Sequence, residues 1–380
     1  MPNVAKSHRR FTDRSIRLSA PWQILACLAC LALPASAQDA TSQIKAEIVR
    51  LQQSLKTKPA SLPDLPRVST MIGNSLTAAA ASLSAGRLYL SLEQLGQATD
   101  LLHGVRAYID KADAVKSGLP AYETEWEKAN VEITAVDAKA AEKNWDNVPA
   151  AIRALSEAAQ GRSIPLLEGG RGFAAATGPK DGLLYLGQAQ GEAGFAAFCA
   201  TLDFRRHAAP YPLRSMLPEI EGLQEKTDAA YQPPRSIELH PRFIALNSTL
   251  KMAGELDAEK LYAGALYEYL EAVRHFGMLS APPLDASAQS SVQGELAGAR
   301  RQLESSDRDD SIAQLFLERA ESQVALRPDG SAPSADEWRS ARVTVEQVLP
   351  AYYAALKPAA PLQQAAGKTV TITLVRWPYT

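Results

Sequence analysis

Reactive side chains are scarce in this sequence: 380 residues hold three cysteines and five histidines. Cys27 and Cys30 lie in an apolar stretch near the start, which leaves Cys199 alone and excludes an intrachain disulfide from the rest. Cys199 stands among Phe195, Ala196, Phe198 and Leu202, surroundings that predict a buried, inert thiol. His103, His207, His240 and His275 have no metal-ligand spacing, and no H-E-x-x-H, C-x-x-C, G-x-x-x-x-G-K-[ST] or G-x-S-x-G motif occurs. Zinc, redox, nucleotide and serine-hydrolase chemistry therefore lack a motif; no metal, cofactor or catalytic residue is assigned.

A basic excess is missing too. Residues 1–37 carry five of the 40 Lys+Arg and one of the 42 Asp+Glu, so the remainder has 35 bases against 41 acids, a formal charge of −6. Such a chain has no basic face to offer phosphates, and no nucleic-acid partner is expected. The acids themselves form no recognisable site. Asp307 to Glu318 has the length of a calcium loop, but Ile312 stands where the turn needs glycine. Asp309 or Asp310 is expected to cap the helix that follows. Glu123, Glu125 and Glu127 around Trp126 point to different sides of a helix and read as a solvated face.

What is present begins with a leader. Lys6, Arg9, Arg10, Arg14 and Arg17 precede an apolar run from Trp22 to Leu33, which ends in Pro34 and Ala35-Ser36-Ala37. The run is short for a membrane span, and its layout predicts a secretory signal peptide over 1–37. The mature protein is then expected in the periplasm or cell envelope of a bacterium, or secreted, with no stable transmembrane span. A lipoprotein beginning at Cys27 is a minor alternative, as is a twin-arginine signal at Arg9-Arg10.

The remaining residues read as helix almost throughout. Ile44, Ile48, Leu51 and Leu55 recur at helical spacing before Pro59, and further segments are predicted over 68–83, 87–116, 121–143, 147–160, 180–203, 241–278, 286–305, 309–326 and 334–356. Gly169-Gly170-Arg171-Gly172 reads as a helix break. The predicted architecture is all-α, stacked helical hairpins in an N-terminal lobe (38–165) and a C-terminal lobe (179–357). A tail (358–380) follows, in which Val370, Ile372 and Leu374 alternate with threonines as in a β-strand.

One stretch echoes another: Leu83-Ser84-Ala85-Gly86-Arg87-Leu88-Tyr89 and Leu256-Asp257-Ala258-Glu259-Lys260-Leu261-Tyr262. After the second copy, Tyr262, Ala265, Tyr269 and Ala272 follow a Y-x2-A-x3-Y-x2-A pattern. This resembles the second helix of a tetratricopeptide repeat, with Ala253 and Leu256 at first-helix packing positions and Lys260 in place of that family's glycine. The resemblance is partial and best over 247–272. It implies a concave binding face made by first helices, with Asn247, Leu250, Lys251 and Gly254 turned inward and Asn247 and Lys251 placed to hold a carboxylate. Tyr262 and Tyr269 share a packing stripe, whereas Tyr267 is off it and is expected to be freer, near Arg274 and His275. Trp377 and Tyr379 close the tail and complete the candidate partner-binding set. The leading expectation is a non-enzymatic exported scaffold that binds a protein or peptide; a small-ligand binder or enzyme using scattered residues, and a structural envelope component, stay open.

Overall fold

A computed structural model describes residues 39–57, 66–202, 204, 213–232, 237–327 and 330–357. The leader, His207 and the tail with its expected strand, Trp377 and Tyr379 lie outside the described residues. Six helices form the first part: α1 (Ala40–Thr57), α2 (Pro66–Ser84), α3 (Leu88–Asp110), α4 (Leu119–Ala141), α5 (Ala150–Ala176) and α6 (Pro179–Thr201). The second part holds α7 (Leu217–Ala230), α8 (His240–Ala258), α9 (Tyr262–Ser280), α10 (Ala286–Glu304), α11 (Ser311–Val324), α12 (Ala335–Val343) and α13 (Leu349–Ala355). A five-residue π-helical segment, Thr344–Val348, joins the last two, and no sheet occurs among the described residues.

The Gly-rich stretch does not break its helix. Residues 169–172 lie inside α5, which also runs through Pro165. Packing explains the difference: a Cβ on Gly170 would stand 2.9 Å from Tyr185 Cβ and 3.0 Å from the Gly182 carbonyl oxygen. Bare backbone here lets α5 and α6 approach closely, and that contact overrides the weak helix propensity of glycine. Residues 161–180 therefore span the end of α5, a short turn and the start of α6.

The two parts repeat one another. In the α2–α3 turn, the Gly86 amide donates to the Leu83 carbonyl and the Arg87 amide to the Ser82 carbonyl. In the α8–α9 turn, Lys260 donates to Asp257 and Leu261 to Leu256, each atom 174 residues further on, since 260 − 86 = 174. Both are Schellman turns, with a left-handed residue closing the first helix. Gly86 takes it at φ 75° and Lys260 at φ 63°. The structural register thus pairs Gly86 with Lys260, one residue away from the alignment of the sequence echo. Core positions follow the same step: Ile72 and Leu246, Leu76 and Leu250, Ala79 and Ala253, Leu92 and Leu266, Ala98 and Ala272 are all buried.

Apolar packing has the same twofold organisation. One small cluster joins α4, α5 and α6 around Tyr122, Ile133 and Leu183. Its counterpart joins α10, α11 and α12 around Leu296, Leu317 and Trp338. The main core, from Ile44 through Leu95, Ile152, Leu266 and Phe316 to Tyr352, draws on both parts.

Helix ends bind the parts together. The N-termini of α3, α5, α7 and α9 have no side-chain cap of their own. An acid from elsewhere supplies each. Glu318 of α11 accepts from the Leu90 amide of α3 at 3.0 Å, and Glu157 of α5 accepts from the Gly264 amide of α9 at 2.8 Å. Gln314 braces Glu318 as Arg153 braces Glu157, each four residues earlier. Asp309 accepts from the Ala150 amide at 2.7 Å, and Asp257 from the Met216 amide at 2.6 Å. Asp309 also receives the Ser311 amide at 3.1 Å, so it serves its own helix and α5 together. Asp310 instead accepts from the Tyr352 hydroxyl. Each acid meets the positive end of a helix dipole while satisfying a buried donor.

Candidate functional site

Where the halves meet, charge is buried. Tyr267 donates to Glu93 Oε1 at 2.6 Å, and these two residues are themselves 174 apart, so counterpart positions touch one another. Arg319 pairs with both Glu93 and Glu271, and Arg274 donates to Glu271 at 2.9 Å. One layer away, Arg162 holds Glu192 through two bonds, at 2.8 and 3.1 Å, and Glu268 through a third at 3.0 Å. The Arg162 side chain keeps 35% of its surface exposed while its partners Glu192 and Glu268 keep 8% and 10%, so this end of the seam is wet.

Burial and partners pull these carboxyls apart. Burial raises Glu271, but Arg319 and Arg274 outweigh it and hold the group at about 2. Burial pushes Glu268 up to about 7 against the pull of Arg162, and burial with the nearby Glu192 charge takes Asp100 to about 7. A carboxyl raised in this way holds its proton more tightly in the folded chain. Its stabilising contribution is complete below its ordinary value, and is lost as pH climbs to about 7. Glu271 acts in the opposite sense, contributing at neutral pH and losing its effect only as pH falls from 4.5 to about 2. We therefore expect chemical-denaturation midpoints to fall between about pH 5 and pH 7, and Glu268→Gln to flatten that fall. An unchanged slope in the variant would contradict the assignment.

The seam is occupied by its own ion pairs, and Cys199 is buried with its thiol pushed up by desolvation. Among the described residues no group of three His, Cys, Asp or Glu is placed to hold a metal ion, and no helix is long and apolar enough to cross a membrane.

Tyr267 is part of this seam, not a free aromatic. It is buried, with its ring 5.8 Å from Phe316. The helix that carries it packs on more than one side, so a residue off the main stripe meets the other neighbour. His275 is half-buried with its imidazole pKa lowered, chiefly by desolvation.

Asn247 and Lys251 stand one turn apart on α8. Asn247 lines a pocket of about 290 Å³ between α7 and α8, with Thr227, Asp228, Tyr231, His240, Phe243 and Ile244. Tyr231 packs edge-on against Phe243, centroids 5.0 Å apart, and its hydroxyl lies 3.2 Å from His240 Nδ1. Gln224 donates to Asn247 Oδ1 at 3.1 Å and to Asp228 at 2.8 Å, fixing the polar rim. Ile244 remains 54% exposed at the mouth. Lys251 is 77% exposed and reaches Glu255 at 3.5 Å.

The repeat tells which of these features the fold requires. The same step of 174 takes Tyr231, Phe243, Ile244 and Asn247 to Thr57, Ser69, Thr70 and Gly73. The first half builds the equivalent hairpin without an aromatic lining, so the pocket is an addition to the scaffold. A second crevice, of about 340 Å³, opens at the other end of α8 against α4, α5 and the turn that leads into α9. Its acids, Asp137, Glu255 and Glu259, were missed in the sequence because Asp137 lies on a helix more than a hundred residues earlier. The only local signal was the like-charged pair Glu255 and Glu259, one turn apart. Comparison of the chain with protein-family models, curated proteins and solved structures gives no match, so the stacked-helix architecture stands on its own geometry.

Proposed function

We propose that the protein is an exported, non-enzymatic helical scaffold that binds an extended peptide or protein segment along α8, in the cell envelope or periplasm. The observation that carries this reading is the aromatic pocket of Tyr231, Phe243 and Ile244, with its amide rim at Asn247, added to one half of a repeated scaffold. Apolar anchors held by a few fixed polar groups are the ordinary means of gripping a peptide side chain. The tetratricopeptide-like reading of α8–α9 is supported by Ala253, Ala265 and Ala272, buried between helices, and by Tyr262 and Tyr269 at the half-buried positions between them. The basic, apolar and small-residue order of residues 1–37 supports export.

A peptide library selected on the full chain tests the reading. Selected peptides are expected to lose roughly tenfold or more in affinity against Ile244→Asp, which places a charge at the pocket mouth without touching the core. Selected peptides that bind this variant unchanged, or a selection that enriches none, would dismiss the proposal.

A further inference from the structure

Asn247, Lys251, Glu255 and Glu259 follow one another at four-residue intervals, forming one slowly winding row on α8. The aromatic pocket lies at the head of this row and the second crevice at its foot. The foot has two kinds of wall. Ile164, Pro165, Leu256 and Leu261 are apolar, whereas Asp137 of α4, Glu255 of α8 and Glu259, just past the end of α8, bring three carboxyls. No basic side chain lines it; Lys251 touches Glu255 from the outer surface at 3.5 Å. Pro165 has no N–H, so the carbonyl of Gly161, also in the wall, lacks the donor an unbroken helix would give it. Asp137 Oδ1 is buried without a hydrogen-bond partner. Apart from the Gln160 amide, the polar groups here are acceptors, and the crevice lacks a positively charged donor.

The fold does not ask for these acids. At the matching positions of the α2–α3 hairpin, Glu255 and Glu259 are replaced by Ala81 and Ala85, and the turn closes with the same backbone bonds. Like charges one helical turn apart cost a helix a few tenths of a kcal/mol.

We propose that this crevice takes the cationic side chain, lysine or arginine, of an extended peptide. The aliphatic stem lies along Ile164, Pro165 and Leu256, and the charged end sits among Asp137, Glu255 and Glu259. The inference rests on the peptide-binding reading above and narrows it to a class of sequence. Asn247 and Glu255 are separated by about 12 Å along the helix axis. That distance is spanned by roughly three to four residues of extended chain. The ligand therefore carries an apolar or aromatic anchor and, three or four residues away, a basic residue.

The test uses synthetic alanine-based peptides bearing one phenylalanine and, three or four residues on, either lysine or its uncharged analogue norleucine. They are titrated by calorimetry against the full chain, the Glu255→Gln/Glu259→Gln double variant and Ile244→Asp, each with its thermal midpoint checked. The lysine peptide is expected to bind roughly tenfold tighter than the norleucine peptide, the worth of charge-assisted hydrogen bonds. That advantage disappears in the double variant, and Ile244→Asp weakens both peptides alike. Equal binding of the two peptides to the unaltered chain, an advantage that survives the double variant, or no binding by either overturns the proposal. If the lysine advantage is absent while Ile244→Asp still weakens both, only the cation site fails; if Ile244→Asp changes neither, the aromatic groove fails.

Discussion

Arg319→Ala is expected to lower the unfolding free energy by about 3–5 kcal/mol, measured by guanidinium denaturation at neutral pH. The guanidinium is 16% exposed and serves two acids, Glu93 and Glu271, that are themselves 7% and 10% exposed. Removing it leaves both carboxylates without their main counter-charge in a place water hardly reaches. Glu271, held at about 2 by this neighbour and Arg274, must then rise, and the fold loses what that depression contributed. A second variant separates loss of a partner from loss of packing. Arg319→Met with Glu93→Gln and Glu271→Gln removes the charges together and recovers most of the loss, because the seam is worth little net and costs much only when half-broken. A loss below about 1 kcal/mol in the single variant would mean that water already shares the site.

Gly187→Leu is the second large effect, with an expected loss of about 3 kcal/mol or more, at the upper end for overpacking. A Cβ at Gly187 would lie 2.6 Å from Ala107 Cβ and 2.8 Å from Gly104 Cα, and would strike the backbone oxygen of His103. Gly104 faces back in the same way, 2.7 Å from Gln188 Cγ and 2.9 Å from the Leu184 carbonyl oxygen. Around Gly187 the neighbours are backbone atoms and a Cβ, none of which can give way, so α3 and α6 would have to separate. Gly172→Ala is the control: it lies in open space on α5 and is expected to stabilise by about 0.5–1 kcal/mol through helix propensity. Equal thermal midpoints for the two variants would refute the close crossing.

Most helices were legible because one face alone meets the core. Ile44, Ile48 and Leu51 repeat at helical spacing and are all buried. The reading failed where a neighbour, not the local sequence, decides. Gly169 to Gly172 stay helical because α6 presses on Gly170. Tyr267 is enclosed because α9 has packed neighbours beyond its main stripe. Capping acids such as Glu318 and Glu157 act on amides 228 and 107 residues away, beyond the reach of any local pattern. The sequence echo marked the right hairpins but slipped by one position, since matching letters do not reveal which residue takes the left-handed conformation. Of the candidate site, Asn247 and Lys251 fall on the row that joins the two crevices. The acids at its foot became visible only when α4 and α8 were brought side by side.

The exchanged caps bear on how the chain is made. Glu318 sits near the end of the described chain and finishes a helix that starts at Leu88, while Glu157 waits for Gly264. Neither half can complete all of its helix starts without the other: α3 and α5 wait for Glu318 and Asp309, and α9 needs Glu157. Assembly must close loops of more than a hundred residues before these bonds reward it, a topology associated with slow folding. A nascent chain emerging from its N-terminus thus holds α3 with an open end until α11 has been made, so the first helices to appear are among the last to be finished.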